Sequence, residues 1–178
     1  DWEHEPENGF AFRLTAVAND DGVIGPMPEG STNNTKTANA TKANGQIANF
    51  GEIKYDSEGT YKYTIQEIVP DDARNEAKTT YGNKGEETGP WVKDGITYDD
   101  TVYSVVVTVE DVNHNGEYTV TPKYAKKTAP GTASEPALVV TNEYDVSGKK
   151  ELKATKNFTG DWEHEPENGF AFRLTAVA

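Results

Sequence analysis

Three polar residues of this chain stand where strand periodicity asks for an apolar side chain, and their types are those needed to make a covalent bond. Side chains at i and i+2 share one face of a β-strand, so Tyr61, Tyr63 and Ile65 select a face that ends on Glu67. By the same period Leu138, Val140 and Tyr144 select a face holding Asn142, and Leu152, Ala154 and Phe158 one holding Lys156. Each exception alone has an ordinary account: a frayed strand end, an asparagine at a turn, a lysine extending its ammonium to water. Together an acid, an amide and an amine complement one another, and a lone buried ammonium or carboxylate costs several kcal/mol unless it is neutralised or paired.

Burial favours the neutral forms of lysine and glutamate, because low dielectric penalises charge. A neutral Lys156 amine is a nucleophile toward the Asn142 carboxamide carbon. Glu67 is expected to donate a hydrogen bond to the carboxamide oxygen, stabilise the developing oxyanion and pass a proton to the leaving nitrogen. The product is a Lys156–Asn142 amide with ammonia released. Holding the partners in contact is worth roughly 7–11 kcal/mol of barrier in favourable cases. One turnover consumes the reactants, so the chain is read as self-modifying and not as an enzyme, with Glu67 its catalytic residue.

No cofactor and no metal are expected. Asp111 to Gly116 imitates the opening of a calcium loop, yet position twelve is Pro122 where a bidentate Glu is needed, and a hairpin bend is the reading. His4 has no second His at ligand spacing. Trp2 and Trp91 are read as covers of a core edge, not as a sugar platform.

The elements that must carry the three residues are strands. Residues 10–17 alternate apolar with small or polar residues and close on the turn residues 19–22. Residues 26–45 read as a long surface loop with a helical turn near 38–43. The segments 46–53 and 60–67 flank a Gly-containing turn and are expected to pair as a hairpin. Residues 70–95 read as a second long excursion with room for one helical turn. Residues 102–109 and 118–121 bracket an Asn-Gly bend, 138–144 is a late strand and 152–158 a last one. Seven or more short strands with no sustained 3.6-residue period predict an all-β, immunoglobulin-like antiparallel sandwich with long loops.

Seventeen basic against thirty acidic side chains give a net charge of −13, which disfavours nucleic acid and anionic membrane surfaces as partners. The chain has no cysteine, and no apolar run is long enough to span a bilayer. Residues 1–18 recur letter for letter as 161–178. A repeat at that spacing suits a whole domain copied in tandem. The frame is then 1–144, a sandwich lacking its first strand; 145–160, linker plus that first strand; and 161–178, the start of the next repeat or an exchanged strand.

Several runs resemble a known family: Ala154-Thr155-Lys156-Asn157-Phe158-Thr159-Gly160, Gly9-Phe10-Ala11-Phe12-Arg13-Leu14, Gly59 to Glu67, Gly95-Ile96-Thr97-Tyr98-Asp99 and Val140-Thr141-Asn142-Glu143-Tyr144. They are similar to the streptococcal-type pilin isopeptide-linkage domain of Gram-positive pilus and adhesin proteins. The resemblance implies Lys156 and Asn142 as the cross-linked pair, Glu67 as the assisting acid, and bonded strands that are parallel neighbours. It also implies an extracellular, cell-wall-anchored protein. The family reads Lys, Glu, Asn along one domain, whereas Lys156 comes last here, an inversion the repeat frame accounts for.

Two geometries follow. Strand 151–160 folds back into its own chain across thirteen intervening residues, barely enough for a parallel return, or it joins a neighbouring copy head to tail; linkage within one chain is placed first. The expected function is a structural repeat of a pilus or adhesin stalk, with neighbouring repeats as partners. The alternative is an adhesin domain whose 26–45 or 70–95 loops contact a host protein or glycan.

Overall fold

The computed structural model describes residues 2–75, 80–81, 89–126, 138–145 and 171–175. The chain divides into two compact units, residues 1–145 and 146–178. Among its described residues the first is all β apart from a 3-10 turn at Trp2–His4.

Its strands form two antiparallel sheets, as an immunoglobulin-like sandwich requires. The first contains β1 (Phe10–Val17), β2 (Thr35–Ala40), β3 (Gly59–Glu67), β8 (Val102–Glu110) and β9 (Thr119–Lys126), in the order β2-β1-β3-β8-β9. The second contains β4 (Arg74–Asn75), β5 (Thr80–Tyr81), β6 (Trp91–Lys93), β7 (Ile96–Tyr98) and β10 (Glu143–Tyr144), in the order β10-β7-β6-β4-β5. Strands β3 and β8 are the long central pair, in register from Gly59 opposite Val109 to Gln66 opposite Val102. Their period-two faces supply Tyr61, Tyr63, Val105, Val107 and Val109 to a core completed by Leu14 and Ala16 of β1. A second cluster joins Val69 and Ala73, from the connection between β3 and β4, to Trp91, Ile96 and Tyr98 of the second sheet and takes Phe10 of β1 against it.

The structure departs from the sequence reading in four places. The expected late strand 138–144 is reduced to β10, Glu143–Tyr144, with 138–142 outside any strand. Residues 35–40 form β2, paired with β1 from Phe10 opposite Ala40 to Thr15 opposite Thr35, and contain no helical turn. Residues 46–53 form no strand, and β3 pairs with β1 and β8 instead. Gln46 and Gly51 take φ of 68° and 93°, which ends extension at both points, while Phe50 and Ile53 still pack on the core. The 70–95 excursion carries the short strands β4, β5 and β6, and Trp91 is fully buried within its cluster instead of covering an edge. The bend at 111–116 is a hairpin turn as expected: the Asp111 carboxylate accepts the N–H groups of Asn115 and Gly116, both at 3.0 Å.

Gly9 sets how β1 enters the sandwich. It sits at φ +70° with its N–H on the Pro6 oxygen at 2.7 Å, and a Cβ there would collide with the main-chain oxygen of Ala40 in β2. Both the positive φ and the lack of space exclude a side chain. Gly9→Ala is expected to destabilise the fold by about 2 kcal/mol, read as a lower denaturant midpoint at unchanged m-value.

Candidate functional site

Glu67 is the last residue of β3, opposite Phe12 of β1, and its side chain points into the interior because the period that buries Tyr61 and Tyr63 continues to it. It is only 2% exposed. Residues 138–142 keep the same alternation, with 138, 140 and 142 half-buried and 139 and 141 exposed. That alternation turns the Asn142 carboxamide inward onto Glu67. Strand β10 then locks the segment by pairing Glu143 with Thr97 and Tyr144 with Ile96 of β7, and Asp145 donates its N–H to the Gly95 oxygen at 2.8 Å.

Three hydrogen bonds define the site. Asn142 Nδ2 donates to Glu67 Oε1 at 2.6 Å. The Asp99 main-chain N–H, just past β7, lies 3.0 Å from Asn142 Oδ1 and 3.2 Å from Glu67 Oε2, and donates to both. Since a main-chain N–H has no choice but to donate, it fixes which end of the carboxamide is oxygen. This differs from the sequence expectation, in which Glu67 reached the carboxamide oxygen. The acid faces the nitrogen, and the oxygen belongs to Asp99.

Burial is the main influence on Glu67. It raises the carboxyl pKa from 4.5 to about 7, against the opposing hydrogen bonds from Asn142 and Asp99. The acid is therefore poised to hold or release a proton near neutrality. Burial also pushes the nearby Tyr98 phenol up to about 12, so it stays neutral.

An open groove of about 650 Å³ adjoins the pair. Phe10, Phe12 and Ile65 of the first sheet line it together with Ile96 of the second and with Leu138 and Val140 of the segment that leads into β10, and Asn142 is on its wall. Among the described residues, strand β10 is the end strand of its sheet. His4 stacks on Tyr144 at the groove, ring centroids 4.0 Å apart and 14° from coplanar, and Trp2 packs edge-on against Phe10. His4, which the sequence offers no partner for as a metal ligand, is an exposed part of this wall. Lys156 lies outside the described residues.

Among the described residues there is no group of acids, histidines and cysteines that could hold a metal ion, and no helix is long and apolar enough to cross a membrane. What the sequence did not single out is Asp99 with its supports: Oδ1 accepts the Thr101 N–H at 2.9 Å and Oδ2 accepts the Tyr103 hydroxyl at 2.6 Å. The run Gly95 to Asp99 stood out as a motif, but nothing in it announces a functional main-chain group.

Neither a curated protein nor a solved structure matches the chain. Residues 2–145, which end where the first compact unit ends, match the family described as the Spy0128-like isopeptide containing domain. With an acid and an asparagine hydrogen-bonded inside a two-sheet antiparallel fold and a match over most of its length, the chain belongs to the FctA family of isopeptide-containing Gram-positive pilin domains.

Proposed function

We propose that the chain is a structural repeat of a cell-surface pilus or adhesin stalk, anchored to the cell wall, whose groove receives the Lys156 strand and is sealed by a Lys156–Asn142 amide. The single observation that supports this most is the buried Glu67 hydrogen-bonded to Asn142 at the wall of an open apolar groove. The Lys156 amine attacks Asn142 Cγ, the Nζ–Cγ bond forms and the Cγ–Nδ2 bond breaks. As Cγ becomes tetrahedral, Nδ2 regains its lone pair. Glu67 takes a proton from Nζ, gives one to Nδ2, and ammonia leaves. The acid and the amine titrate as a pair, and the reactive form carries one proton between them.

The strand 152–158 suits the groove by shape and by charge. Leu152, Ala154 and Phe158 offer an apolar face that also presents Lys156, and an end strand accepts a further strand by main-chain hydrogen bonds. Residues 149–156 carry four lysines against one glutamate, in a chain of net charge −13. The donor is therefore basic and its receiver acidic.

Strand lengths favour donation by a neighbouring copy. In a parallel pair with Lys156 level with Asn142, Leu152 is level with Leu138, so a chain pinned at Asp145 must run back about 23 Å at 3.3 Å per residue. Seven residue steps reach at most roughly 25 Å, leaving nothing for the two reversals. A neighbouring repeat or a second chain seats the whole strand without that constraint, which reverses the order given to the two geometries above. The result is a head-to-tail series tied by bonds that cannot be reduced, suited to a stalk under load.

Denaturing gels and intact mass test this. The wild-type chain is expected to form a ladder of covalent oligomers, each junction lighter by one ammonia, and Lys156→Ala and Asn142→Ala are each expected to run as monomers of unaltered mass. Mixing the two variants restores a covalent dimer, since one keeps the amide and the other the amine. A wild-type chain of unaltered mass would sink the proposal, and monomers each lacking one ammonia would return the bond to a single chain.

A further inference from the structure

We propose that the main-chain N–H of Asp99 is the oxyanion donor of this reaction and that the Asp99 side chain, gripped by Thr101 and Tyr103, is the positioning group that aims it. The inference rests on the Lys156–Asn142 reaction proposed above. Attack on Cγ moves negative charge onto Oδ1, and the Asp99 N–H already lies 3.0 Å from that atom. A preorganised donor within about 3.1 Å of a developing oxyanion is the geometry that lowers such barriers. Glu67 cannot serve the oxygen from where it stands, because it holds Nδ2. Turning the carboxamide over would set Nδ2 against the Asp99 N–H, donor against donor.

The two groups therefore divide the work. Asp99 stabilises the charge on oxygen, and Glu67 moves the proton to the departing nitrogen. The same N–H also lies 3.2 Å from Glu67 Oε2, so one donor clamps acid and amide together.

The direction of that N–H is built into the bend after β7. Thr101 N–H and Tyr103 O–H donate to the two oxygens of the Asp99 carboxylate, which fastens residue 99 to the start of β8 from outside the reacting pair. Tyr103 is buried on the core face of β8. Burial and the adjacent carboxylate push its phenol above the ordinary value, so it remains a donor. Because Tyr103 does not touch the reacting atoms, its effect passes through the placement of Asp99.

The test removes the N–H, with a weaker acceptor at the Tyr98 carbonyl as the one accompanying change. In cell-free translation of the full chain, nonsense suppression with L-malate at position 99 replaces the amide by an ester oxygen and keeps the side chain. Bond formation, followed by intact mass after translation is stopped, should slow on the order of 100-fold at the plateau of its pH–rate profile and reach the same product. Tyr103→Phe should slow the same plateau roughly tenfold, as loss of one aiming hydrogen bond would.

A structural readout accompanies the rates. In the full-length Lys156→Ala chain, a scalar coupling across the hydrogen bond is expected between Asp99 15N and Asn142 13Cγ. Absence of that coupling overturns the inference. So does an ester chain whose plateau rate is unchanged while its pH profile shifts, since the N–H would then only tune Glu67. A wild-type chain that forms no bond sinks the reaction itself, whereas a wild type that bonds with an equally fast ester chain sinks the oxyanion role alone.

Discussion

Glu67→Gln should fold, seat the donor strand and fail to bond. Glutamine matches the shape of the carboxyl, and its oxygen can still accept the Asn142 Nδ2–H hydrogen bond that measures 2.6 Å in the native site, while its NH2 replaces Oε2 and gives up the 3.2 Å hydrogen bond from the Asp99 N–H. What it lacks is a proton that can be taken up and released near neutrality, which the buried acid has with its pKa raised to about 7. General acid–base groups contribute roughly 10²–10⁴-fold, so the ladder of covalent oligomers should be absent over times in which the wild type completes it. Size-exclusion chromatography without denaturant should still show association, because the groove and the donor strand are intact. Glu67→Ala makes a less informative variant, since it leaves a cavity and strips Asn142 of its acceptor. A Gln variant that cross-links at the wild-type rate would remove the acid from the mechanism.

The site was legible in the sequence to the extent that side chains carry it. Glu67 stood out because a strand that buries Tyr61 and Tyr63 and half-buries Ile65 cannot turn its next same-face residue outward without a break. Asn142 stood out for the same reason, and the structure brings the two together. Asp99 was not legible as a donor because its contribution is a main-chain N–H, which every residue except proline possesses. Its direction is set by hydrogen bonds from Thr101 and Tyr103 that no spacing rule announces.

The fold shows the same division. Strands β1, β3 and β8, each eight or nine residues long, gave clear alternation because one face of each meets the core. Strand β2 did not: it is an end strand of the sequence Thr35–Ala40 in which only Ala40 is buried, so its letters resemble a polar loop. The strands of residues 74–98 are two or three residues long, too short for any period to register. The segment 46–53 erred the other way. Ile47, Phe50 and Ile53 look like a strand, yet Ile47 is 64% exposed and the backbone leaves extension at Gln46 and Gly51.

The repeated segment separates sequence from context most directly. Leu14 in β1 is 5% exposed, whereas Leu174, the same letter of the duplicate, is 81% exposed and residues 171–175 form no strand. Identical residues therefore make a buried strand only when β2 and β3 flank them.

The same buried acid should make the unlinked fold weaken as pH rises through the mildly acidic range. Glu67 moves from 4.5 when unfolded to about 7 in the folded chain, so between those values the native state holds a proton that the unfolded state has released. Stability then falls with increasing pH: the contribution is complete below about 4.5 and lost once pH passes about 7. At 1.36 kcal/mol per pKa unit the whole window is worth about 3 kcal/mol. Most carboxylates act oppositely, because ionic partners lower their pKa, so Asp72 with Lys93 at 2.9 Å contributes in the opposite sense. Isolating Glu67 therefore needs a difference. Urea unfolding of Lys156→Ala and of Lys156→Ala with Glu67→Gln, compared from pH 4.5 to 7, removes the covalent bond and cancels the other acids. The chain that keeps Glu67 should lose about 3 kcal/mol more across the window than the chain with glutamine. Parallel curves would mean that the acid is already ionised in the folded state, and that burial does not hold its proton near neutrality.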